Sequence, residues 1–145
     1  MKITVHDIPP SNNQYMGNSR NFNIYRREKE RWHWLIKSAL TKVKKPCEPY
    51  ERAAVHIMYY FKDRRRRDPD NYSGKMILDP LVREGVLKDD SFDNVVLILS
   101  KMGIDKDNPR VEIEITKMED AKWRDLLRKA LTTFLLMLVF LTISP

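Results

Sequence analysis

The run Ala53-Ala54-Val55-His56-Ile57-Met58-Tyr59-Tyr60-Phe61 constrains the fold more than any other stretch of the chain. It is nearly continuous in apolar, strand-forming residues and stops abruptly at Lys62-Asp63-Arg64-Arg65-Arg66-Arg67. A strand that is apolar on both faces must be covered on both, so it reads as a central strand packed by other elements. At 145 residues there is room for one such core.

The neighbouring segments supply the covering layers. Residues 2–6 alternate and predict a short strand, ended by Pro9 and Pro10, which lack backbone donors. From Ile24 to Lys44, Trp32, Leu35, Ile36, Ala39, Leu40 and Val43 recur at helical spacing with basic residues opposite, and Pro46 stops the element. A second helix is expected from Asn71 to Glu84, with Ile77, Leu78, Leu81 and Val82 inward and Gly85 as its stop. Pro80 conflicts with an uninterrupted helix and predicts a kink, or a restart capped by Asp79. Residues 94–100 read as a buried strand. Residues 110–116 alternate strictly, which predicts a strand with one wet face at the sheet edge. The turn-rich residues 103–109 between them predict an antiparallel hairpin. The order β-α-β-α-β-β-α gives an α+β fold, a single domain with a mixed sheet packed by helices, over residues 1–118.

Residues 119–145 form a separate C-terminal tail, first amphipathic and then hydrophobic. Its last part, Ala130 to Ile143, holds 14 residues without a charge. A spanning helix needs about 20, so the expected readings are a helix packed against the core or a dimer partner, or a disordered hydrophobic end, ahead of membrane attachment.

The chemistry concentrates where the central strand ends. Asp68 and Asp70 lie two apart in a stretch that Pro69 should keep extended, so both carboxylates point one way. Magnesium, a hard cation, takes one or two carboxylates and keeps several waters. Asp90, in the polar loop before the next strand, completes the set if that loop returns to the same end of the sheet. Three acids around magnesium, or manganese, suit phosphodiester hydrolysis. Lys75 is placed to neutralise charge on the transition state, and Asp79, four residues on, shares its helical face. The same runs also describe a turn, a helix cap and a solvated loop. Arg64 to Arg67 tilt the balance, because four arginines beside acids make sense where phosphates are drawn to a metal. Lysine and arginine exceed aspartate and glutamate by 27 to 20, a net +7, which fits a polyanionic partner. The lone Cys47 rules out an internal disulfide. Residues 1–15 lack the pattern of a secretory leader, so a cytoplasmic location is expected.

Three motifs in order resemble the RusA-type Holliday junction resolvases of bacteria and phages. Pro9-Pro10-Ser11-Asn12-Asn13 is similar to their N-terminal Pro-Pro-Ser-x-Asn signature. Arg67-Asp68-Pro69-Asp70-Asn71, with Lys75 and Asp79, resembles the central acidic motif, and Gly85 to Asp90 the Gly-x-x-x-Asp-Asp loop. The resemblance spans residues 7–117. It implies a homodimer that binds four-way DNA junctions and nicks two strands symmetrically in recombination and repair. Asp68, Asp70 and Asp90 would be its catalytic metal ligands and Lys75 its essential lysine, with Asn71 and Asp79 in support. Lys62 and Arg64 to Arg67 are the expected backbone contacts. Asn12 and Asn13 either hold the active-site loop or touch DNA. No small-molecule cofactor is expected. The rival readings are a branched-DNA-binding protein without catalysis and a nuclease acting on other branched forms.

Overall fold

A computed structural model describes residues 1–15 and 19–119, with Trp123, Asp125 and Arg128; of residues 19–21 it describes the backbone alone. Strand β1 is Lys2–Val5, helix α1 Ser19–Leu40, strand β2 Ala53–Phe61, helix α2 Lys75–Arg83, strand β3 Val95–Ile104 and strand β4 Arg110–Lys117. Two single 3-10 turns, Asn12–Gln14 and Pro69–Asn71, interrupt the loops. The four strands form one mixed sheet in the order β1-β4-β2-β3, so the α+β architecture with a central β2 holds.

The connection between β3 and β4 is not the expected hairpin. β3 runs parallel to β2 on one side, and β4 runs antiparallel to β2 on the other. A parallel pair needs a crossover, which α2 supplies, and that leaves the far edge of β2 open for β4. The chain then arches over the end of β2, where the Asp105 N–H donates to the Phe61 carbonyl at 2.7 Å. β4 is also not an edge strand, because β1 pairs with its outer side. Its alternation is real: Val111, Ile113 and Ile115 are buried, while Glu112 pairs with Lys2 at 2.7 Å. A period of two reports which face is wet and carries no information about edges.

One core joins these elements. Trp32, Ile36 and Leu40 of α1, spaced four apart, meet Ile77 and Leu81 of α2 and Val55 and Ile57 of β2 in a single buried cluster. α1 begins earlier than its apolar stripe indicated and ends at Leu40, with residues 41–43 in turns.

α2 departs from expectation in three ways. It starts at Lys75 and not at Asn71, since Pro69 opens its own 3-10 turn. It runs unbroken through Pro80: the proline removes one donor, yet the Glu84 N–H still reaches the Pro80 carbonyl at 2.9 Å. Asp79 caps nothing, because its carboxylate is held by two lysines. Gly85 stops the helix as expected, at φ +71°, with Gly85 N–H on Val82 and Val86 N–H on Leu81.

Gly74 precedes Lys75 with φ +74°, and an added Cβ there would lie 3.1 Å from Leu97 and 3.2 Å from Ile57. Backbone strain and crowding act together, so Gly74→Ala is expected to cost about 1–3 kcal/mol, read from a urea melt.

Most of the tail lies outside the described residues. Trp123 is buried, its ring 5.6 Å from the Arg52 guanidinium. Among the described residues no helix is long and apolar enough to cross a membrane.

Candidate active site

The N-terminal signature and the acidic turn are far apart in sequence and meet in space. Asn12 is buried, and its Nδ2 donates to the Asp70 carbonyl at 2.9 Å. Its Oδ1 accepts from the Tyr15 hydroxyl. Asn12 therefore ties the first loop to the turn that carries Asp70. Asn13 is exposed beside Asp68, Arg66 and Asn71 around a cavity of about 190 Å3.

The turn itself differs from the extended stretch expected. Asp68 is extended, but Pro69, Asp70 and Asn71 close a 3-10 turn in which the Asn71 N–H reaches the Asp68 carbonyl at 3.1 Å. The fixed φ of Pro69 suits the first position of a helical turn, and that preference wins here. Asp70 is exposed. Asp68 is half exposed, and among the described residues its carboxylate meets only the Nε of Arg66, at 3.0 Å.

The four arginines divide by role. Arg67 is turned inward: it donates to Asp63 at 2.7 Å and to two backbone carbonyls, and it lies 4.2 Å from the Phe61 ring centroid. Its job is to latch the loop. Arg65 pairs loosely with Asp63 at 3.4 Å, and Arg66 with Asp68. Arg64 and Lys62 are exposed and pair with no carboxylate among the described residues. Exposed pairs of this kind hold weakly, about 0–1 kcal/mol, so these side chains are available to a polyanion.

Lys75 sits at the start of α2, where its Nζ meets one oxygen of Asp79 at 3.2 Å. The other oxygen of Asp79 takes Lys29 of α1 at 2.6 Å. Burial works to raise the Asp79 pKa, but the two lysine hydrogen bonds outweigh it and hold the carboxyl below its ordinary range. Sequence reasoning missed Lys29, because the basic stripe of a surface helix gives no sign of which lysine faces another element. The Asp79 hydrogen bond also raises the Lys29 pKa, and the charge of Asp90 adds to that.

Asp90 lines a cavity of about 520 Å3 with Lys29 and Asp79, between α1 and α2. Among the described residues no three histidine, cysteine or acidic side chains gather closely enough to hold one metal ion. The single chain thus brings Asp68 and Asp70 to one turn and places Asp90 beside the Lys29–Asp79–Lys75 chain of ion pairs. His33 and His56 have structural partners, Glu84 at 2.8 Å and Ser100 at 2.9 Å.

Replacing Lys29 with Met leaves Asp79 a single cation. Lys29 is half exposed, so the expected cost at neutral pH is only about 0.5–1 kcal/mol. Asp79 has a depressed folded pKa, so its contribution is present above the unfolded value and disappears as pH falls through the folded one. The stability gap between wild type and variant should therefore close on acidification, measured by thermal melts at several pH values.

The α+β scaffold thus brings the buried Asn12 against the acidic turn by a hydrogen bond and lines one small cavity with both Asn12 and Lys75. The family model for endodeoxyribonuclease RusA matches residues 7–116. The chain belongs to the RusA endodeoxyribonuclease family. No curated protein sequence matches it significantly.

Proposed function

We propose that the chain is a magnesium-dependent, structure-selective endodeoxyribonuclease that resolves four-way DNA junctions by paired nicks, working as a homodimer in the bacterial or phage-infected cytoplasm. One observation carries the reading: the Pro-Pro-Ser loop, remote in sequence from the Asp68–Asp70 turn and Lys75, is tied to that turn by Asn12, which also lines one cavity with Lys75.

The donors suit a hard divalent cation. Asp70 is exposed, and among the described residues Asp68 is engaged only by an arginine that is itself 90% exposed, a pair that a divalent ion displaces at little cost. Two carboxylates with waters match the habit of magnesium. Among the described residues Asp90 does not gather with Asp68 and Asp70 into a ready three-acid cluster, and its part as third ligand is the point that an Asp90→Asn variant tests. Magnesium, when bound, supplies Lewis-acid polarisation of the phosphate and a more acidic bound water.

The protein's own groups do the rest. Asp79 fixes the Lys75 ammonium at the rim of the site, where it offsets charge that develops on the phosphate oxygens. Arg64, Arg65, Arg66 and Lys62 draw in the backbone without reading sequence. A junction has paired equivalent strands, and a two-fold dimer presents one site to each.

The test uses a synthetic four-way junction and a linear duplex of the same sequence, each with magnesium or with chelator. Symmetric nicks in the junction alone, abolished by chelator, support the proposal. Equal cutting of the linear duplex contradicts junction selectivity, and binding without cutting points to an architectural protein.

A further inference from the structure

A cavity of about 680 Å3 lies between the Pro9–Pro10 loop, α1 and the end of β2, within the size range of ligand pockets, roughly 300–1,000 Å3. It shares Ser11, Arg67 and Tyr72 as a common wall with the smaller cavity that holds Asp68. The two form one path from the acidic turn to the side of α1.

Charge separates this groove from its neighbour. The 520 Å3 cavity beside Asp90 carries Arg26, Lys29 and Arg83 against Glu30, Asp79 and Asp90, and is already balanced. The groove carries Arg27, Arg31, Lys62 and Arg67 against Asp7 and Glu28. Within it, Arg31 is held by Asp7 and Glu28, and Arg67 by Asp63. Lys62 pairs with no carboxylate among the described residues. Arg27 is 73% exposed, and its Nε comes only to 3.7 Å from Glu28. These two cations are left over, one on each bank.

We propose that this groove seats the sugar–phosphate backbone of the DNA strand next to the cut phosphate, with Lys62 and Arg27 neutralising its phosphates. The proposal rests on the endonuclease reading and adds α1 to the DNA-binding surface, which no motif of the sequence indicates. The preference is for backbone, since the charges left over in the groove are cations beside a proline wall, which neutralise phosphates whatever the sequence.

Binding of the four-way junction is measured by fluorescence anisotropy, in chelator and over a range of salt. The chains compared are wild type, Arg27→Gln, Lys62→Gln and a control, Lys44→Gln. Lys44 is exposed and lines neither cavity. All three changes are at exposed positions, so circular dichroism melts should stay at wild-type values. In the homodimer each groove substitution removes two cations and is expected to lower the slope of log K against log salt by about 1.8, while the control leaves it unchanged. Wild-type slopes in both groove variants overturn the proposal and leave the endonuclease reading intact. A wild-type protein that binds no junction at any salt overturns both.

Discussion

Asp70→Asn is expected to reduce junction cleavage by about 10²–10³-fold or more while leaving junction affinity close to that of wild type. The carboxylate is exposed, so its neutral replacement disturbs no packing, and stability should change by no more than about 0.5 kcal/mol. The contact that positions the turn uses the Asp70 carbonyl, which asparagine retains. The loss should therefore fall on the chemical step and not on folding or binding. Single-turnover cleavage, with anisotropy on the same junction, separates the two. Full activity in the variant would remove Asp70 from the site.

Trp32→Ala carries the largest stability effect, a loss of about 3–5 kcal/mol. The side chain is fully buried in α1, within the cluster that joins α1 to α2 and the sheet. The cost combines lost apolar burial with a cavity that β2, paired on both sides, cannot collapse to fill. For a domain of this size that is a large share of the total, and the urea midpoint should fall accordingly. Function should follow, because α1 also carries Lys29 and one bank of the groove. A midpoint within the error of wild type would mean that the core does not depend on this ring.

What could be read from the sequence was whatever a local period or a fixed dihedral decides. The double-sided apolar run of β2 placed it centrally, and the stripe through Trp32, Ile36 and Leu40 placed α1 on the sheet. Gly85 and its positive φ ended α2 where a glycine stop was expected. The errors came where neighbours compete. β3 and β4 are joined by turn residues, yet each found a better partner in β2 than in the other. Pro69 was read as an extending residue, but its φ serves equally well to open a 3-10 turn.

The site shows the same division. The placing of Asp68 and Asp70 on one turn was legible because they lie only two residues apart. Asn12 was legible as a candidate only, since its hydrogen bond to the Asp70 carbonyl depends on how the two loops meet in the fold. Lys29 and Arg27 were invisible, since the face a helical lysine or arginine meets is set by tertiary packing. The placement of Asp90 was the least legible point, because no local pattern says how a loop returns.

The most direct measurement is therefore made on Asp90. Magnesium binding to the junction complex, followed by calorimetry in parallel with single-turnover cleavage, compares wild type with Asp90→Asn. If the three acids share an ion in the working assembly, the variant binds magnesium at least about tenfold more weakly and loses cleavage with it. Wild-type metal affinity and wild-type cleavage in Asp90→Asn would contradict the account.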